Sequence, residues 1–460
     1  MSPKTLTWIL LFAAVLTGSF RLRFLGAKSD ELALEQATYE TVRELINERY
    51  VRELNADDQQ KMFYGALKGM TSSLDAHSQF LPPESYDHLS ASTRGRFAGI
   101  GIEIVEEPRK HTIKTPLLDS PAWRAGIQQG DRIVKIDGKD TEELSSEQCE
   151  MLIKGPPDTV LSLTIERDRP KKDPERIELT MRRALIKVNS IQATELLGPK
   201  YVPADEPKLG YIQLSQFQQD TSDDLDAALK KLEAQGMTAL ILDLRMNGGG
   251  LLDQATRVCD LFLKDGLIVT LQHRDAVSSK NAALGEQIHV VPGKTHPDYP
   301  LAILVDSQSA SAAEIVSGAL HDRGRAILVG DRTYGKFSVQ DVIPLDLGRR
   351  DATAVAGGSA PGIQMRQEKI GALKLTIAKY KTPKSDCIDG QGLVPDYLIP
   401  STPEQQNALS TSRYKRHLRE NDPQARNGGA PKPEYEDNFD DVQLKKAVQV
   451  LREHLSGEKK

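Results

Sequence analysis

The sequence predicts a multidomain α+β chain with three parts: a helical N-terminal region, a small β-rich domain of barrel or sandwich type, and an α/β core on a mixed sheet. Three observations carry this. The chain has 460 residues, room for two to four domains. Its hydrophobic period changes along its length: helical over 30–94, short strands over 95–184, and strands alternating with helices over 185–400. Its composition, 27% charged and 39% apolar, is that of an ordinary soluble globular protein. The net charge of −5 is small for this size and gives no ground for a nucleic-acid partner. Cys149, Cys259 and Cys387 are odd in number and widely spaced, which supports neither a disulfide framework nor a zinc site. No spacing of Cys, His and carboxylates suggests a metal site, and no cofactor is implied.

The first 29 residues read as an export signal, either cleaved or kept as a membrane anchor. Lys4 precedes an apolar stretch from Leu6 to Phe20, and Arg21 and Arg23 follow. The stretch is long for a signal core and short for a comfortable span. Over 30–94, Leu34, Val42, Leu45, Ile46 and Tyr50 recur at helical spacing, and Phe63, Leu67 and Met70 continue in a second helix. The turn Ser73–Ser78 and the pair Pro82-Pro83 end that pattern. His77 in this turn reads as a packing or capping residue.

Between 95 and 184 the pattern is Gly99-Ile100-Gly101-Ile102-Glu103-Ile104, a short helix at Ser120–Ile127, a strand at Gly130–Gly138 closed by Asp-Gly, a helix at Ser145–Ile153, and strands at Val160–Arg167 and Arg176–Met181. The run SPAWRAG followed by GDRIVKIDG resembles a PDZ domain, over the whole length of the segment. The resemblance implies that an extended protein tail adds to a sheet edge, and that backbone N–H groups of Ile100, Gly101 and Ile102 receive its terminal carboxylate.

From 185 the strands Leu209–Leu214 and Ala239–Leu244 alternate with helices Thr221–Gln235 and Leu252–Leu263. Arg245-Met246-Asn247-Gly248-Gly249-Gly250 follows the second strand. No Gly-Lys-Ser/Thr comes after it, so it is not a phosphate loop. The stretch Leu301–Gln340 matters most. Leu301–Val305 reads as a buried strand, Ala310–Leu320 as a helix and Ala326–Val329 as another strand. Ser311 thus stands at a strand-to-helix junction, and Lys336 follows the next strand on the same sheet edge, where α/β folds mount reactive groups. Alone, Ser311 reads as a cap and Lys336 as a solvated loop residue. Together they suggest nucleophilic acyl chemistry with a lysine base. His321 is the nearest rival base, but lies roughly 15 Å along the same helix. Backbone N–H groups of Ala312 and Gly249 fit an oxyanion site, and Gln340 is placed to hold the amine. Tyr334, Phe337 and Val339 are candidates for the apolar surroundings that would keep Lys336 neutral.

At this point the chain resembles the C-terminal processing (tail-specific) peptidases of the serine–lysine type. The matching runs are SLDAHS at Ser73–Ser78, the PDZ-like block, LILDLRMNGGG at Leu240–Gly250, SASAAEIVSGAL at Ser309–Leu320, GDRTYGKFSVQ at Gly330–Gln340 and GALKLTIAKYKTP at Gly371–Pro383. The resemblance implies Ser311 as nucleophile, Lys336 as base and Gln340 as orienting residue, and the interval from Ser311 to Lys336 favours Ser311 over Ser309. It implies protein substrates met through their C-terminal tails, exported or periplasmic surroundings, and no cofactor; it leaves open a homo-oligomer or an adaptor. Three features depart from the family. Phe337 stands where a glycine usually follows the lysine, Gly248 replaces a common proline, and Gly348–Gln367 reads as a long flexible insertion. Residues 401–460 read as linker and a terminal helix, Val442–Leu455. The competing reading is a non-catalytic PDZ adaptor on a degenerate peptidase scaffold, and Phe337 is the one residue in its favour.

Overall fold

Three neighbouring strands of the core sheet, Leu209–Leu214, Ala239–Asp243 and Leu301–Val305, are buried at every position in the computed structural model. Strands buried on both faces need layers on both sides, and the architecture provides them. The structure describes residues 33–104, 111–117, 119–169, 172–203, 206–274, 285–293, 295–352, 363–384, 390–421 and 439–457. The N-terminal apolar stretch and Cys387 lie outside them. Among the described residues, no helix is long and apolar enough to cross a membrane.

The described residues up to Ala76 form one compact unit and those from His77 onward a second. The first holds a helix over 33–49 and a helix Ala56–Ser72. The second helix opens with a capping box: Asn55 accepts from the Asp58 N–H, and Asp58 accepts from that of Asn55. This satisfies two helix-end donors reciprocally.

The helical N-terminal region expected over 30–94 is interrupted by a short strand. Gln79–Leu81 is a strand of the second unit, paired antiparallel with Ala372–Lys374, and a helix Pro83–Arg94 follows it. The PDZ-like strands come next. Ile102–Ile104 pairs with Ile113–Pro116, Arg132–Ile136 lies between Lys139–Asp140 and Val160–Arg169, and Lys172–Arg182 completes that sheet. Their core contains Ile100, Ile113, Ile133, Ile136 and Leu163.

The central sheet has six strands in the order Ile191–Leu196, Leu209–Leu214, Ala239–Asp243, Leu301–Val305, Ile327–Gly330 and Tyr397–Leu398. The first pairing is antiparallel and the other four are parallel, so the sheet is mixed as expected. Helices Thr221–Ala234, Leu252–Asp260 and Ala312–Asp322 pack on one face. Helix Val442–Ser456 covers the other, placing Leu444, Ala447, Val448 and Leu451 on Leu209, Ile241, Ala302 and Leu304. A second sheet joins Gln79–Leu81, Ile363–Lys381, Leu267–His273 and Glu286–His289, with Ser338–Ala352 paired to Ile363–Lys381.

Two expectations need correcting. The segment 348–367 is not a loose insertion over its described part. The ladder from Ser338 continues through Gly348↔Gln367 to Ala352↔Ile363. Its Gly- and Arg-rich composition hid the strand, because backbone pairing needs no alternation of side chains. Within 401–436, expected as linker, Pro403–Asn421 is a helix. It is too polar to show an apolar stripe; it is instead anchored by a few groups, such as buried Leu409 and Leu418 and an Arg413–Asp243 ion pair.

Candidate active site

Ser311 lies just past the strand Leu301–Val305 and caps the helix Ala312–Asp322, with φ +56° and ψ −114°. A non-glycine residue held there stores about 1–3 kcal/mol of strain. A sharp, strained strand-to-helix turn is also the way α/β hydrolases expose a nucleophilic hydroxyl. Ser309 is the contrasting case. It is 0% exposed, its hydroxyl donates to the Leu244 carbonyl at 2.8 Å, and it accepts from the Asp306 N–H at 2.9 Å. That hydroxyl is fully employed in joining two strand ends, whereas Ser311 is half-buried at the surface of the turn.

Two side chains that sequence reasoning did not single out join Ser311 to Lys336. Glu314, 0% exposed, accepts from the N–H of Ser311 and of Lys336 through Oε2, both at 2.9 Å. Its Oε1 accepts from the Gly335 N–H at 2.7 Å and the Thr333 hydroxyl at 2.6 Å. Burial pushes this carboxyl above its ordinary range, and the four donated bonds oppose that rise. From the other side, the Tyr380 hydroxyl lies 2.7 Å from the Lys336 carbonyl and 3.0 Å from that of Ser311, a three-centre donor. The backbones of the two residues are therefore gripped at both their N–H and C=O groups. The signal for Glu314 was present in Ser311-Ala312-Ala313-Glu314, an S-x-x-E capping pattern. Tyr380 carried no local signal, since its partners lie far away in the chain.

Phe337 settles into the core. It is 1% exposed and its ring centroid is 5.2 Å from that of Tyr380. It braces the tyrosine that holds Ser311 and Lys336. Tyr334 is exposed and supplies no apolar wall, while Val339 packs at the core margin. The Gln340 amide donates to the hydroxyls of Ser338 at 2.9 Å and Thr376 at 3.1 Å. Thr376 is tied in turn to Ser78, whose Oγ accepts from its N–H at 3.1 Å, so Ser78 reaches the strand beside Gln340.

The glycine loop packs directly on Ser311. Gly249 has φ +99°, and a Cβ there would lie 2.8 Å from Ser311 Cβ and 2.9 Å from the Ala312 nitrogen, so no side chain fits. Its own N–H, however, donates to Asn247 Oδ1 at 2.9 Å. Gly249 as an oxyanion donor thus needs correction: the residue sits beside the site with its N–H already engaged, because Asn247 closes a tight side-chain turn. Asn247 is buried, and its amide donates to the Leu214 carbonyl at 2.9 Å. Ala312 is the first residue of its helix, where an N–H has no partner within the helix, and the helix dipole adds positive potential. His321 is unsuited as a base. Its Nε2 lies 3.1 Å from Asp396 Oδ1 and its Nδ1 3.6 Å from Asp322 Oδ1, and these carboxylates push its pKa up to about 9.

In the PDZ-like domain Gly101 and Ile102 line a cleft of about 470 Å³ whose other walls include Ile153 and Lys154. Ile100 is buried below it. Its carbonyl accepts from Ala122 at 2.9 Å and that of Gly101 from Leu117 at 2.8 Å, so both point into the fold. The cleft is also walled by His88 of the helix Pro83–Arg94, which lies 3.1 Å from Glu150.

Residues 208–399 match the family model for peptidase family S41, and residues 112–167 match that for a PDZ domain. A carboxy-terminal-processing protease of Bartonella bacilliformis is 33% identical over 442 residues, covering 92% of this chain and 91% of that protein. A carboxyl-terminal-processing protease of Picosynechococcus is 33% identical over 346 residues, covering 74% and 73%. Among solved structures, the photosystem II D1 C-terminal processing protease aligns with TM-score 0.41 and 24% identity, covering 79% of this chain and 86% of that one.

Proposed function

Since the chain belongs to the carboxy-terminal-processing proteases of peptidase family S41, and is thus a serine-type peptidase, we propose that it cleaves proteins from or near their C-termini with Ser311 as nucleophile and Lys336 as base. The observation that carries this is the double grip on the two residues, by Glu314 at their N–H groups and Tyr380 at their carbonyls.

In this reading Ser311 Oγ attacks the peptide carbonyl carbon and its proton passes to the neutral Lys336 amine. The Ala312 N–H and the positive end of the helix it opens stabilise the oxyanion. The C–N bond then breaks as Lys336 returns the proton to the leaving amine. Water, deprotonated by the same lysine, hydrolyses the acyl-enzyme. Gln340 orders the strand after Lys336 through Ser338 and Thr376 rather than standing alone. The PDZ cleft, with backbone donors at Ile100, Gly101 and Ile102, receives the substrate tail. The apolar segment Leu6–Phe20 directs export, so the substrates are exported proteins. The adaptor reading rested on Phe337, and that residue is a core side chain.

The test is cleavage of an unstructured reporter with a free C-terminal tail by the full chain, Ser311→Ala and Lys336→Ala. Both variants should lose cleavage by at least ~10³-fold, as removal of a nucleophile or its base does. The wild-type rate should rise with pH through a pKa well below the reference lysine value of about 10.4. Full activity in either alanine variant would overturn the assignment.

A further inference from the structure

The helix Pro403–Asn421 touches both the PDZ domain and the strand end that leads into the glycine loop, through two adjacent residues. Tyr414 faces the PDZ domain. Its hydroxyl donates to the Lys114 carbonyl at 2.8 Å and accepts from Gln129 Nε2 at 2.9 Å. The Lys114 ammonium lies 4.6 Å from the centre of the Tyr414 ring and 3.4 Å from Glu103 Oε2. Lys114 and Glu103 both line the peptide cleft, and Glu103 belongs to the strand a bound tail would extend.

Arg413 faces the core. Its guanidinium donates to the Arg245 carbonyl at 2.9 Å and to Asp243 Oδ2 at 2.8 Å. Arg245 opens the loop whose Asn247 carbonyl accepts from Ala310 at 3.0 Å and whose Gly249 packs against Ser311. Arg245 is itself clamped by Asp441, at 2.9 Å through each of two nitrogens. A helix held so firmly on the core, and bonded one residue later to a cleft strand, joins tail binding to the loop beside the nucleophile by rigid elements.

We propose that this helix couples occupancy of the PDZ cleft to the geometry of the glycine loop, with Tyr414 and Arg413 as positioning residues at its two contacts. The proposal rests on the serine–lysine peptidase reading above. It goes beyond that reading by assigning a role in turnover to the C-terminal helix.

The experiment uses one unstructured fluorogenic substrate with a free terminal carboxylate and its C-terminally amidated twin. The readout is the ratio of their kcat values for the full chain, with tail affinity measured by fluorescence anisotropy on the Ser311→Ala background. Wild type should favour the free tail at least five-fold, the low end of ordinary coupling between sites. Tyr414→Phe should bring the ratio most of the way to one, and Tyr414→Ala the whole way, with tail affinity within two-fold of wild type. Arg413→Lys keeps the charge but loses the forked contact; it should lower kcat on both substrates without raising KM. A wild-type ratio retained in both Tyr414 variants would overturn the coupling. So would a wild-type ratio of one with Ser311-dependent cleavage of both substrates, which leaves the peptidase reading intact. Cleavage of neither substrate by wild type would instead sink the peptidase reading and the coupling with it.

Discussion

Asp243 and Glu314 are both 0% exposed, both stand near the C-terminal edge of the same sheet, and their environments are opposite. Asp243 faces cations: Arg245 at 2.7 Å and Arg413 at 2.8 Å, with the Tyr211 hydroxyl at 2.7 Å. Burial works against its charge, yet the two guanidiniums outweigh it and hold the carboxyl well below its ordinary range. Glu314 accepts from three backbone N–H groups and one hydroxyl, all neutral. There burial wins and the carboxyl moves up. The difference teaches how the fold divides labour. The compensated carboxylate fastens C-terminal helices to the sheet, and the uncompensated one fastens the backbones of the two proposed catalytic residues.

The strongest test of this contrast is Asp243→Ala, which takes the carboxylate away from buried Arg245, leaving it only Asp441, and from half-buried Arg413. Removing one partner of a buried ion pair costs about 3–5 kcal/mol, so the urea midpoint should fall sharply. A loss below about 1 kcal/mol would mean the cations are not compensated where the geometry has them. Glu314→Gln should destabilise less, about 1–3 kcal/mol for acceptors lost in a buried site. Its larger effect should be on kcat, about 10²-fold, as expected when reacting groups are misplaced by roughly an ångström. Unchanged kcat with lost stability would make Glu314 a purely structural carboxylate.

The pH dependence should separate the two by sign. A lowered folded pKa stabilises above the unfolded value, near 3.8 for Asp243, and that stability is lost as pH falls through the folded value. A raised folded pKa acts in reverse. For Glu314 the stabilisation is full below its unfolded value of 4.5 and declines as pH rises through the folded one. Measured against wild type, the penalty of Asp243→Asn should therefore shrink towards acid, and that of Glu314→Gln should shrink towards neutrality. Parallel trends would contradict the contrast. The mildest expected effects belong to Phe337→Leu and Ser309→Ala, each about 1 kcal/mol in stability with kcat kept. A large fall in kcat for Phe337→Leu would show that its brace on Tyr380 matters to turnover.

Residue order alone was enough to read the alternation of strands and helices, the junction at Ser311 and the proximity of Lys336, because each depends on a local period or a local turn. What escaped reading was long-range. Tyr380 acts across the chain on Ser311 and Lys336, and nothing in its neighbours marks it. The helix Pro403–Asn421 looked like linker because its fixed points are scattered single residues, buried Leu409 and Leu418 and an Arg413 that meets Asp243 and Arg245, with no apolar stripe. The engagement of the Gly249 N–H by Asn247 was missed for another reason: an asparagine two residues before a glycine was read as loop composition rather than as an acceptor.

The strand Gln79–Leu81 gives the molecule an order of assembly. Ser78 meets Thr376 across 298 positions, and Thr376 orders Gln340 in the strand that follows Lys336. Contacts of such sequence separation form late and slowly, after the entropy of closing a long loop has been overcome. A growing chain would therefore carry Ser311 and Lys336 through synthesis with this side of the site unfinished. The peptidase would acquire its working geometry only when an early segment and a late one find each other.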